Sequence, residues 1–442
     1  MARVHRLSTH EIVRISKAWV SEISSEKLTD LSTIQHFFNS SQFGLSAEEI
    51  KDTELVLLLL ASAHKTGNKQ FDDASKGLNL CDFLSSDKGN SVQRVVHYFA
   101  KALQQKIARE TRTVLSDESE SSENNPLCPA EIRMGADPAL ISCCLQLPCL
   151  QAVHFAAIQA VIDSLESAKT VHFIDLGIKT GSHCTILMQA LANRQSCAIE
   201  LLKISGVGIT ASRQRIEDAG KRLASFAQTL HIPFSFRTAI VANIKDLKVD
   251  MFEINDGETV AIFLPGILRF IKAQKGALQS LLRVLRKLNP CVMVIIEAEL
   301  NHNSPWFIDQ FHELLLFYSA CYDGVEGCIA QCDPNRITIE ACLGQEIRDV
   351  VAVKAEERIF KHMKIDEWRD YFIRFGMEEA EISMSSFYQA ELLVKSSASG
   401  KSCLLVKHGK CLLTGWKGTP IFSLSAWKFQ QKYSKKICAE ES

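Results

Sequence analysis

The sequence predicts an α/β protein: a mostly parallel sheet covered by helices, with a helical unit ahead of it. Two observations carry this. Short apolar runs recur from residue 170 onward, at Thr170 to Asp175 (TVHFID), Leu201 to Ser205 (LLKIS), Thr259 to Leu264 (TVAIFL) and Cys291 to Ile296 (CVMVII). Helical stripes separate them. Near-continuous apolar strands alternating with amphipathic helices are the pattern of a sheet buried on both faces. Before residue 165, by contrast, the chain shows helical periodicity alone, and no internal repeat breaks the order.

The helical part starts with Ser8-Thr9-His10-Glu11, which fits a capping box ahead of Ile12, Val13, Ile15 and Trp19. Leu55, Leu58, Leu59 and Ser62 share a helical face until Gly67-Asn68 breaks the run, and Val92, Val95, Phe99 and Leu103 repeat the spacing. Residues 116–125 (SDESESSENN) carry no apolar anchor, so a disordered loop is expected there. A helix with Phe155, Ile158, Ile162 and Leu165 on one stripe leads into the first strand. These features divide the chain into a short helical arm over 1–51, a helical cap over 52–165 and an α/β core over 166–442.

Within the core, the second strand is expected to close at Gly206-Val207-Gly208. A helix follows on Ile216, Ala219, Leu223, Phe226 and Leu230, and another strand starts at Phe234. The helix on Leu278, Leu281, Leu285 and Leu288 is expected to stop at Asn289-Pro290. A long helix is expected from about Pro305 and a β-rich stretch from about Glu391.

Composition excludes some functions. Among 442 residues the formal net charge is −1, so no global positive field draws nucleic acid or an anionic membrane. Any DNA contact needs a local basic patch, and the tail with Lys428, Lys432, Lys435 and Lys436 reads as a solvated terminus. The apolar run Leu55 to Ala61 is too short to cross a bilayer. The 15 cysteines include Cys128, Cys143, Cys144 and Cys149, but no CxxC pair points to zinc. An odd count without a signal peptide fits reduced thiols in cytosol or nucleus.

One motif invites an enzyme reading. In Val171-His172-Phe173-Ile174-Asp175-Leu176-Gly177-Ile178-Lys179-Thr180-Gly181 a strand runs through an acid into a glycine turn, as in folds that cradle a nucleotide or S-adenosylmethionine. Asp175, Gly177 and Gly181 are the candidate cofactor-binding residues. The spacing resembles a methyltransferase motif with its middle glycine replaced by Lys179. The ribose-holding acid expected after the next strand is missing at Ile204-Ser205-Gly206, which favours a purely structural turn and no cofactor. Glu297 and Glu299, beside His302, could form a paired-carboxylate or metal site; hydrogen bonds to nearby loop backbone explain them more simply. No nucleophile motif is present.

Several segments, in order, resemble the GRAS family of plant transcriptional regulators. Residues 171–175 are similar to its VHIID motif, and Ser425, Ala426 and Trp427 to its SAW motif. Between them, Asn289-Pro290 through Pro305 and then Phe311, Tyr318, Asp323 and Glu326 resemble the approach to and course of the PFYRE region. Leu57 to Asn68 with Gln93-Arg94-Val95, and Phe155 to Leu165, resemble its two leucine-rich regions. The resemblance implies a helical cap over a Rossmann-like, methyltransferase-related core without enzymatic activity. It implies a regulator of the nucleus, with the cytoplasm as a second location, whose partners are transcription factors and other GRAS proteins, with DNA contact mainly indirect and no membrane. The N-terminal signature of DELLA-type gibberellin repressors is absent. The family's tryptophan-proline after the glycine turn is replaced by Cys184-Thr185, its later acid by Leu343, and an arginine by Gln310.

Overall fold

The computed structural model describes residues 6–22, 45–115, 137–195 and 197–430. The acidic segment 116–125, Cys128 and the lysines Lys432, Lys435 and Lys436 lie outside them. The chain forms two compact units, one of residues 1–127 with 300–360, the other of 128–299 with 361–442. Neither boundary coincides with the linear division at residues 51 and 165. The helix before the first strand belongs with the sheet, and a later pair of helices belongs with the N-terminal ones.

The helical unit holds α1 (Thr9–Glu22), α2 (Ala47–Gly67), α3 (Phe71–Leu84) and α4 (Ser91–Leu115). In the sheet unit, α5 (Asp137–Gln146) and α6 (Pro148–Ser164) precede β1 (Thr170–Asp175). The Ser8 capping box forms: Ser8 N–H donates to Glu11 Oε2 at 2.8 Å and Glu11 N–H to Ser8 Oγ at 3.3 Å. Ser46 and Glu49 build a second one ahead of α2. In α2 every residue from Leu55 to Leu60 is buried, well beyond the one-sided stripe. The helix lies at the centre of its unit, packed by α1, α3 and α4 together, so it is apolar all round.

The sheet unit continues with α7 (Ser182–Ala192), β2 (Leu201–Ile209), α8 (Arg213–Thr229), β3 (Phe234–Val241), β4 (Thr259–Pro265), α9 (Leu268–Ala273), α10 (Ala277–Lys287) and β5 (Val292–Ala298). Helices α11 (Phe307–Cys328) and α12 (Pro334–Ala352) then complete the helical unit. The chain returns to the sheet unit with α13 (Ile365–Arg374), β6 (Met377–Ala380), α14 (Met384–Ser396), β7 (Cys403–His408), β8 (Cys411–Trp416) and β9 (Thr419–Phe429). The strand order is β3-β2-β1-β4-β5-β9-β8-β7, with β6 also paired to β9. The first five strands are parallel and the rest antiparallel, so the sheet is mixed.

Alternation along the strands feeds two cores. Val171 and Phe173 of β1 pack with Ile158, Leu187 and Leu223 on one face. Ile174 packs with Leu281, Leu285 and Trp368 on the other. Helices therefore cover both faces, as the apolar runs predict.

Two boundaries differ from expectation. Gly206 and Gly208 lie inside β2, paired to Thr238 and Ile240 of β3, and do not close it. A Cβ on Gly206 would sit 2.8 Å from Ile216 Cγ2 and 2.9 Å from Ile178 Cγ2. The glycines thus serve the close approach of α8 and the β1 turn to the strand. Near Glu391 the chain is still helical, because Ala390 of α14 is buried against the core with Phe387 and Val394 beside it. That i, i+3, i+7 spacing outweighs the strand propensity of the Leu392-Leu393-Val394 run. The helix before β5 ends where expected, with Asn289 at φ 48° reversing the chain.

Candidate functional site

The sheet reverses its order between β1 and β4, at the C-terminal end of β1. In an open α/β sheet that position is where ligands bind. The residues found there are Asp175, the turn from Leu176 to Gly181 and the first turn of α7.

Asp175 ends a strand whose last five residues are buried, and its own side chain is fully enclosed. Both its oxygens are engaged within the protein. Oδ1 accepts the Gly177 N–H at 2.9 Å, and Oδ2 lies 2.6 Å from His183 Nε2. The turn is shaped by packing. A Cβ on Gly177 would stand 2.8 Å from Pro265 Cγ at the end of β4, and Gly181 caps α7 with φ 73°, which favours glycine. Leu176 and Ile178 are buried, one in each core. The Asp175, Gly177 and Gly181 candidates are therefore brought together, around a turn that bonds and packs inward.

The same turn gathers two residues that the motif reading did not combine with Asp175. His183 and Cys184, in the first turn of α7, place ligand-type atoms within 4.8 Å of each other and of Asp175. Burial alone would neutralise His183, but the neighbouring Cys184 and Asp175 outweigh it and hold the imidazole pKa well above its usual value. Burial pushes the Cys184 thiol up. Burial, with His183 and Lys179 adding to it, brings His154 of α6 down to about 4. Its Nδ1–H is directed at the Leu150 carbonyl, 2.8 Å away.

The remaining motif residues lie in the sheet itself. His172 is buried in mid-strand, its Nδ1 3.1 Å from Glu258 Oε2 and its Nε2 2.8 Å from Ser205 Oγ. Lys203 Nζ donates to the same carboxylate at 3.2 Å. Burial and the Lys203 charge bring His172 down to about 4 despite Glu258, so the neutral ring donates to Glu258 and accepts from Ser205. A Lys and a His inside apolar strands, in register as His172 and Lys203 are, signal such a buried network. Ser425, Ala426 and Trp427 lie in β9 beside β5, with Ala426 and Trp427 also paired to Ala380 and Glu379 of β6, and Trp427 is fully buried.

Glu297 and Glu299 each accept a backbone N–H. Glu297 Oε1 accepts the Leu268 N–H at 2.6 Å, and Glu299 accepts the Ile365 N–H at 3.1 Å. Both hold backbone at the ends of strands and helices. His302 belongs to the helical unit.

A family model described as "GRAS domain family" matches residues 55–428. This chain belongs to the GRAS domain family. The match takes in elements of both units of the GRAS chain, from α2 to β9. The chain is similar to DELLA protein 2 of Medicago truncatula, 30% identical over 86% of this chain and 68% of that protein. It is 29% identical to DELLA protein GAI1 of Vitis vinifera over 86% of this chain, and spans 62% of that relative's length. The crystal structure of SCL7 from Oryza sativa shares the fold, with a TM-score of 0.73 at 22% identity over 85% of this chain and 99% of the other.

Among the described residues, no helix of this GRAS protein is long and apolar enough to cross a membrane.

Proposed function

We propose that this GRAS protein is a plant transcriptional regulator that works by binding other proteins, transcription factors and other GRAS proteins among them, in the nucleus and without catalysis. The observation that carries this reading is the closed turn after β1. A cofactor-binding turn leaves its acid and its backbone N–H groups facing a crevice. Here both Asp175 oxygens have partners within the chain, and Leu176 and Ile178 fill the cores. The second acid is also missing, since β2 runs to Ile209 and is followed by Thr210. DELLA-named relatives support a regulatory role, and a net charge of −1 supports indirect contact with DNA.

The test is affinity capture from plant nuclear extract with the whole chain as bait, alongside a fluorescent fusion to follow localisation. Recovery of transcription factors or GRAS proteins is expected. A cytoplasm-restricted fusion that captures neither would defeat the proposal.

A methyltransferase-like small-molecule site at Asp175, Gly177 and Gly181 is the second reading, favoured by the strand-order reversal at that position. Calorimetry with S-adenosylmethionine separates the two. The regulator reading expects no heat and no thermal shift.

A further inference from the structure

We infer that Asp175, His183 and Cys184 form a zinc-binding site that clasps the end of β1 to the first turn of α7. The donor set is a carboxylate oxygen, an imidazole nitrogen and a thiol sulfur, the three ligand types zinc takes from proteins. A thiolate disfavours magnesium and calcium, which prefer oxygen alone. All three donor atoms lie within 4.8 Å of one another, and among the described residues no other group of three such side chains converges in this way.

Geometry asks for only a small adjustment. Neighbouring donors on a tetrahedral zinc stand roughly 3.3 Å apart. The Asp175 Oδ2 to His183 Nε2 contact, now 2.6 Å, must open by roughly 0.7 Å. Asp175 is held from behind while this happens, because its Oδ1 keeps the Gly177 N–H. Such outer-shell anchoring is the usual companion of a metal carboxylate.

Charge balance also fits a buried site. A divalent cation held by a carboxylate, a thiolate and a neutral ring sums to zero net charge, so the ion enters without burying uncompensated charge. Access comes from the His183 side, where the side chain keeps 13% exposure while Asp175 has none. A water at that edge completes the tetrahedron.

The test uses the full chain, stripped with a chelator and titrated with cobalt and then zinc. Cobalt should give a thiolate-to-metal charge-transfer band and strong tetrahedral visible bands at one equivalent, and zinc should bleach them. Zinc should raise Tm by several degrees. Cys184→Ser should lose the charge-transfer band, and His183→Asn should lose the tetrahedral bands. A band that persists in Cys184→Ser assigns the metal to other cysteines and overturns the proposal, as does a wild-type chain with no band and no Tm shift. Because either variant could fold poorly, the wild-type chain carries an independent reading. Zinc calorimetry on that chain should report binding of one ion per chain. No binding heat would leave the group as a metal-free ion pair and overturn the proposal.

Discussion

The indole Nε1–H of Trp427 donates to Ser425 Oγ at 2.9 Å, two residues back on the same face of β9. Residues i and i+2 of a strand point the same way, so the first and last letters of this three-residue motif meet while Ala426 faces the opposite core. Trp427 packs its ring 4.9 Å from Phe372 of α13. Its side chain is therefore satisfied at the polar end and packed at the apolar one, as a buried tryptophan requires. Trp427→Ala should destabilise the fold by about 3–5 kcal/mol. Ser425→Ala removes only the acceptor and should cost about 1–3 kcal/mol. Urea unfolding of both variants checks the order. An unchanged midpoint for Trp427→Ala would mean that the indole does not hold the sheet.

A second prediction concerns the helical unit. Arg94 of α4 pairs with Glu340 at 3.0 Å and with Glu326, and Arg336 pairs with the same two acids. The two guanidiniums and Glu340 are almost fully enclosed, while the Glu326 side chain keeps 44% exposure. Glu340→Ala leaves two buried cations short of an anion and should cost about 3–5 kcal/mol. Glu326→Ala should cost distinctly less, because water reaches that position. Equal losses in thermal melts would contradict this ranking.

That network shows why some of the fold was legible in the sequence and some was not. The bounds of β1 follow directly from TVHFID, an apolar run stopped by an acid at a glycine turn. The end of β2 did not, because Gly206 and Gly208 look like turn residues until α8 is placed against them. Membership of α11 and α12 in the helical unit depends on contacts such as Arg94 to Glu326, 232 residues apart, which no local pattern reports. The Asp175 candidate was visible as a strand-end acid. Its closure by His183 was not, since the partner becomes a neighbour only when the βα turn folds.

Acid should weaken the protein through His172. Burial and Lys203 bring this imidazole down to about 4 in the folded chain, against 6.5 when unfolded. Between those values the unfolded chain binds a proton that the folded chain does not. Stability therefore rises with pH across that window and is lost as pH falls from 6.5 toward 4. The urea midpoint should be lower at about pH 5 than at about pH 7. His172→Gln, which carries no titrating proton, should shrink the difference. A variant with the wild-type pH slope would assign the acid sensitivity elsewhere.

The last prediction reverses a general rule. Replacing glycine by alanine inside a helix normally stabilises by about 1 kcal/mol. Gly220 in α8 faces β3, and a Cβ there would lie 2.2 Å from Phe236 Cδ1 and 2.8 Å from Cγ of the same ring. A ring carbon bonded directly to the Phe236 Cβ cannot swing clear as a flexible chain end does, so the helix must lift from the strand. Overpacking of this kind costs about 1–3 kcal/mol, more than the propensity gain. Gly220→Ala should therefore lower Tm, and the double variant Gly220→Ala with Phe236→Leu should recover part of the loss. A rise in Tm for the single variant would show that α8 does not pack so closely on β3.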